Sequence, residues 1–228
     1  MESVRYAYFI ATLPALAIWL YFYVKREDLR REMLVISALI GLLSIVTSYY
    51  WWTADWWRPL TITGTKVGIE DFLLGFGYGG IMAVVYAVFT GRRYGRRRAI
   101  THGLHDFYLI LFLLAQTTTW LFYGVGLTSF YASTFAMLLV TAVMLFMRKD
   151  LMFNAIMSGL FVAAISTLFY ATASLVSGEW ADKTYMLDTL SGIHVVGIPV
   201  EEFIFWFLAG MVFGPFYEFY KGLRLSKA

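Results

Sequence analysis

The chain has no cysteine, which excludes disulfides, thiolate metal sites and thiol nucleophiles and leaves its redox compartment unreadable. Its three histidines, His102, His105 and His194, form no convincing metal set with the acids around them. Charged residues are only 14% of the sequence, against 60% hydrophobic and 19% aromatic; such a balance excludes a soluble domain. No lysine lies inside an apolar run, and no Gly-x-Gly-x-x-Gly follows a strand-like segment, so neither a retinal Schiff base nor a nicotinamide or flavin cofactor is expected. The formal net charge of +3 implies no nucleic-acid partner, because the positive residues are gathered in short loops.

What the chain does have is seven long apolar runs, near 4–24, 33–52, 67–90, 104–124, 127–147, 151–177 and 197–220. Each is long enough for a helix to cross a hydrocarbon core of about 30 Å. The expected fold is therefore all-α, a multi-pass protein of the cell membrane. The first run exceeds the ~7–15 residues of a signal-peptide core and no small-residue cleavage site follows it. Lys25, Arg26, Arg30 and Arg31, then Arg92, Arg93, Arg96, Arg97 and Arg98, then Arg148 and Lys149, and last Lys221, Arg224 and Lys227 lie at alternate loops; Arg5, Arg58, Lys66 and Lys183 lie at the others. That 14-to-4 asymmetry places the N-terminus outside and the C-terminus inside. Trp51, Trp52, Trp56, Trp57, Trp120 and Trp180 cluster at the outer ends, as an interfacial aromatic belt would.

Four acids stand apart. Gly68-Ile69-Glu70-Asp71-Phe72 and Pro199-Val200-Glu201-Glu202-Phe203 open the third and seventh runs 131 residues apart, a register that extends to Tyr86 and Tyr217. An Asp at mid-membrane costs roughly 2.5–3.5 kcal/mol on insertion scales, so retained acids point to use. Both runs enter from outside. The chain therefore reads as three spans, one connector and three spans: residues 1–90 and 127–228 as parallel repeats, with 91–126 a basic loop and linker helix, all in one membrane domain. Parallel repeats put the acid pairs at one depth. Adjacent helical residues point about 100° apart, and Asp71 shares a stripe with Gly75 and Gly79 as Glu202 does with Trp206 and Gly210. Asp71 and Glu202 are thus expected to face the bundle. The plainer account of Glu201 and Glu202, that they complement a helix dipole behind Pro199, is weakened by the duplication.

Other polar positions read as ordinary. His102, His105 and Asp106 suit an interface beside the Arg run better than a proton relay. Gln116, Thr117, Thr118 and Thr119 suit helix packing, and Glu218 suits an interfacial pair with Lys221. His194, in the loop before the seventh run, is near enough to the acids to modulate them.

Pro199-Val200-Glu201-Glu202-Phe203-Ile204-Phe205-Trp206, with Tyr217-Glu218 near the end of the same run, resembles the membrane-embedded lycopene cyclase family, whose fused forms consist of two halves of about three spans. Gly68 and Asp71 stand where the first copy departs from that motif. The resemblance implies redox-neutral, acid-catalysed cyclisation of a linear carotenoid end group, lycopene to β-carotene or a related product, without cofactor or metal. Glu70, Asp71, Glu201 and Glu202 would supply acid and base. Phe72, Phe76, Phe203, Phe205 and Trp206 would line the site and stabilise a carbocation, and the hydrophobic polyene would enter from membrane lipid. Oligomeric state is left open.

Other classes compete. A small proton-coupled transporter shares the layout, although spans 1, 2, 5 and 6 offer few charges for a wet path, and a carotenoid-binding protein without catalysis would need no acids. A glutamate intramembrane protease has an arginine about four residues after its Glu-Glu pair, where this chain has Trp206 and Gly75.

Overall fold

The computed structural model describes residues 2–95 and 103–227. Within them, seven helices are long and apolar enough to cross a membrane. They are α1 (Glu2–Lys25), α2 (Arg30–Thr47), α3 (Ile69–Phe89), α4 (Leu104–Thr119), α5 (Ser129–Met147), α6 (Met152–Val176) and α7 (Val200–Phe213). The helix α2 continues through a wider π-helical turn at Ser48–Trp52, and α4 through another at Trp120–Val125. The seventh span is not one helix. Pro215 has no N–H to continue the ladder, so α7 stops at Phe213 and a short α8 (Phe216–Lys221) completes the crossing.

The helices α3 and α7 are the most enclosed, and α4 lies at the periphery against α5. Along its length α3 packs on α2, and α7 packs on α6; α1 fills the space between α3 and α6. Lipid is as apolar as these side chains, so helix association depends on close packing and hydrogen bonds, and small residues permit it. A Cβ on Gly79 would lie 3.0 Å from the Ile36 carbonyl oxygen, and one on Gly210 would lie 2.8 Å from the Ser158 carbonyl oxygen and from the Gly159 Cα. Gly210→Ala is therefore expected to destabilise the bundle by about 1–3 kcal/mol, read as a lower thermal midpoint in detergent. An unchanged midpoint would show that α6 and α7 separate freely.

At the end carrying most of the arginines, β1 (Arg92–Tyr94) pairs antiparallel with β4 (Leu225–Lys227). At the other end, β2 (His194–Val195) and β3 (Ile198–Pro199) form a hairpin that leads into α7.

Candidate active site

All four acids of the repeated motif are buried, at most 4% exposed, and the two members of each pair part company. Glu70 turns back to the loop before α3, where its Oε1 accepts the Ile62 N–H at 2.5 Å. Glu201 does the same before α7, accepting the Ser191 N–H at 2.6 Å. The other oxygen of each is buried with no partner among the described residues. Asp71 and Glu202 point the other way and line one cavity.

Asp71 is fully engaged. Its Oδ2 accepts the Gly68 N–H at 2.9 Å, and its Oδ1 accepts the hydroxyls of Ser48 at 2.8 Å and Tyr8 at 3.2 Å. Glu202 is not. Its Oε2 accepts the Tyr170 hydroxyl at 2.6 Å, and Tyr170 in turn accepts the Trp206 indole N–H at 2.6 Å. The Trp56 indole N–H and the Tyr185 hydroxyl also face Glu202. Both, like Glu202 Oε1, are buried without a partner at normal hydrogen-bond length among the described residues. Burial pushes the Tyr185 phenol well above its ordinary pKa, so it is a neutral hydroxyl able to donate.

The cavity, of about 210 Å³, runs from this carboxylate layer past Gly75 and Met82 on α3 and past Ala209 and Phe213 on α7. Eleven residues at 1.5 Å rise give it a length of about 16 Å. Trp52, Trp56, Phe169, Tyr170, Phe205 and Trp206 form its aromatic wall, and Ser44, Thr47, Thr118 and Ser133 are among its few polar neighbours. Its rim lies between α2 and α4, where the exposed Val46 and Ala115 line it. The other end is roofed. Trp57 bridges to Tyr185, Arg58 N–H donates to Thr184 O at 2.8 Å and Met186 N–H to Trp56 O at 3.0 Å, which ties the loops before α3 and α7 together.

Of the aromatic residues expected in the site, Phe205 and Trp206 line the cavity, while Phe72, Phe76 and Phe203 stand outside its lining. Phe72 covers Gly41 and touches Phe76, which packs on Trp19, and Phe203 packs on Tyr170. Tyr8, Ser48, Tyr170 and Phe169 were not singled out by sequence; the available signal was a hydroxyl or ring set within a small-residue stripe such as Ala7, Ala11 and Ala15. The interfacial belt holds for Trp120, 65% exposed, but Trp56, Trp57 and Trp180 are buried in the roof, with Trp57 edge-on to Trp180 at 5.8 Å.

The expected Glu218–Lys221 pair is absent among the described residues. Glu218 is buried and accepts Asn154 Nδ2 at 3.0 Å, and Lys221 lies over the Tyr220 ring. His194 is exposed, its Nδ1 3.0 Å from Gly192 O, and does not line the cavity. His105 is exposed beside Asp106, and His102 lies outside the described residues. Gln116 is exposed, Thr118 lines the cavity, and the Thr118 and Thr119 hydroxyls return to their own helix.

The chain is thus an all-α membrane protein whose aromatic cavity is headed by two buried carboxyl groups. Residues 128–220 match the family model for lycopene cyclase. The match contains Tyr170, Glu201, Glu202, Trp206 and Glu218, and supports carotenoid cyclisation as the general chemistry of an enzyme. No curated protein and no solved structure matches the chain.

Proposed function

We propose that the protein cyclises a linear carotenoid end group, lycopene being the substrate to test first, with Glu202 as acid and Asp71 as base. The observation that carries this reading is that both groups line one aromatic cavity reaching the lipid-facing surface between α2 and α4. Their hydrogen bonds divide the roles. An ionised carboxylate only accepts, and Asp71 accepts three donors. Glu202 accepts one hydroxyl at normal hydrogen-bond length and keeps Oε1 for its proton, which the facing Tyr185 hydroxyl can accept. Glu70 and Glu201, turned to the loops, are positioning residues that hold the first turns of α3 and α7.

The reaction is an isomerisation. Glu202 gives its proton to the chain-side carbon of the terminal double bond, leaving a tertiary cation. The next double bond attacks that cation, closing a six-membered ring and moving the charge onto a ring carbon. Asp71 removes a ring proton, whose electron pair becomes the new ring double bond. The proton then returns from Asp71 to Glu202 through exchange, so neither electrons nor atoms are gained or lost. Trp206, Trp56, Trp52 and Phe205 face the travelling charge with π-clouds, each worth about 0.5–2 kcal/mol to a cation in a desolvated site. The roof excludes the water that would quench it. An end group fits with its polyene tail running out along α3 and α7, and the few polar neighbours of the cavity disfavour a wet transport path.

The parallel-repeat reading belongs with this proposal. Gly79 meets the Ile36 carbonyl as Gly210 meets the Ser158 carbonyl, and one offset of 122 residues on the partner helices also relates Ser48 to Tyr170, the donors to Asp71 and Glu202. The family match, 128–220, lies within the second repeat. Basic loops set the N-terminus outside, in the cell membrane. Reporter fusions at Lys149 and Lys183 are expected to report opposite sides; the same side for both would end the orientation.

Expression in a lycopene-accumulating host is expected to deplete lycopene and yield a cyclic carotenoid of unchanged mass. Lycopene left untouched in the presence of folded protein would exclude it as the substrate.

A further inference from the structure

A second cavity, of about 170 Å³, opens at the arginine-rich end of the bundle, away from the acid pairs. We propose that it binds the phosphoethanolamine head group of a phospholipid, whose ammonium enters and whose phosphate stays at the mouth. The inference does not depend on the cyclase reading.

The cavity separates charge by depth. Arg92, Arg224 and Asp150 line its mouth; the Arg224 side chain is 61% exposed, and its Nε lies 3.9 Å from Asp150 Oδ2. Deeper, Glu218 is 1% exposed, with Oε1 accepting from Asn154 and Oε2 lacking any partner among the described residues. Asn154 is held in that orientation by the Ser158 hydroxyl, which donates to its Oδ1 at 2.9 Å. Arg148 makes no hydrogen bond to the Glu218 carboxyl. Its guanidinium grips Asp150 at 2.9 and 3.0 Å and donates to the backbone oxygens of Glu218 and Leu223. Glu32, the next acid, accepts the Tyr94 hydroxyl.

A buried carboxyl oxygen without a partner is costly, and a charged donor satisfies it best. A zwitterion with phosphate and primary ammonium two carbons apart matches arginines at the mouth and a carboxyl below. A choline head group has no N–H to give. Basic pockets between helices at the membrane surface hold the phosphates of lipid head groups, anionic lipids being the established case. Tyr86 and Phe153, which line the cavity, meet at 5.9 Å, and Phe89 stacks on Phe161 at 4.6 Å; Phe153 and Phe89 are both exposed. These rings on α3 and α6 continue from the cavity along the lipid-facing surface, where an acyl chain would lie.

Native mass spectrometry of the full chain in detergent, with equimolar phosphatidylethanolamine, phosphatidylcholine and phosphatidylglycerol, tests this. The ethanolamine lipid is expected to be retained about tenfold over the choline lipid, the scale of one charge-assisted hydrogen bond. Glu218→Gln should abolish that preference while lipid still binds, and Arg224→Ala, at an exposed side chain, should lower retention of all three. Equal retention by the wild type, preference for phosphatidylglycerol, or an unchanged ratio in a folded Glu218→Gln protein would overturn the proposal. Displacement of the lipid by an equal concentration of free O-phosphoethanolamine would overturn its assignment to lipid.

Discussion

Glu202→Gln is expected to reduce ring formation by roughly 10²–10⁴-fold, the usual contribution of a positioned general acid, while protein level in the membrane stays constant. The amide keeps the shape and can still accept the Tyr170 hydroxyl, so the chain from Trp206 through Tyr170 to residue 202 survives; only the transferable proton is lost. Pigment analysis normalised to protein is the measurement. Glu179→Gln, at an exposed side chain paired with Lys183 at 3.6 Å, serves as the unchanged control. Tyr170→Phe should behave differently. It strips Glu202 of its donor and Trp206 of its acceptor, at about 1–3 kcal/mol for each polar group left buried and unsatisfied, so thermal stability should fall along with activity. Full activity in a folded Glu202→Gln protein would eliminate the acid assignment.

The spans were legible because a run of some twenty apolar residues has few other uses, and their bounds agree with the structure to within a few residues except at α2, whose span begins at Glu27. That end carries Glu32, a charge that interrupts the apolar run in the sequence but is buried and accepts the Tyr94 hydroxyl in the structure. The acid pairs were legible because duplication is a pattern in sequence. The different destinations of Glu70 and Asp71 follow from the 100° step between neighbours, but which one faces the loop depends on where Ile62 and Ser191 place their N–H groups, and loop geometry leaves no periodic trace. Glu218 departs from its sequence expectation for a related reason. Lys221 is its i+3 neighbour, but the break at Pro215 starts a new helix that turns the acid toward Asn154. The tryptophans of the roof read in sequence as an interface belt because an amphipathic indole suits either place, and only tertiary pairing of the loops brings Trp57 onto Trp180.

Asp71→Asn should separate the two halves of the reaction. In deuterated water the wild type is expected to place one deuterium in each ring, since Glu202 exchanges with solvent and gives its deuteron to carbon, while the hydrogen lost to Asp71 comes from carbon. With asparagine at 71 the cation still forms but meets no base. Ring product should fall by roughly 10²–10⁴-fold, and the cation should revert by losing either hydrogen or deuterium from the carbon it was protonated on, so recovered linear carotenoid becomes labelled. Glu202→Gln, which cannot start the reaction, should leave it unlabelled. Asparagine also turns an amide N–H₂ toward a site where Gly68 N–H, Ser48 and Tyr8 all donate, and a clash of donors costs about 1–3 kcal/mol; protein must therefore be quantified in each strain. Label in the linear pool of Asp71→Asn but not of Glu202→Gln orders the two groups as base and acid. The reverse pattern would exchange their roles, and label in neither would remove Glu202 as the source of the proton.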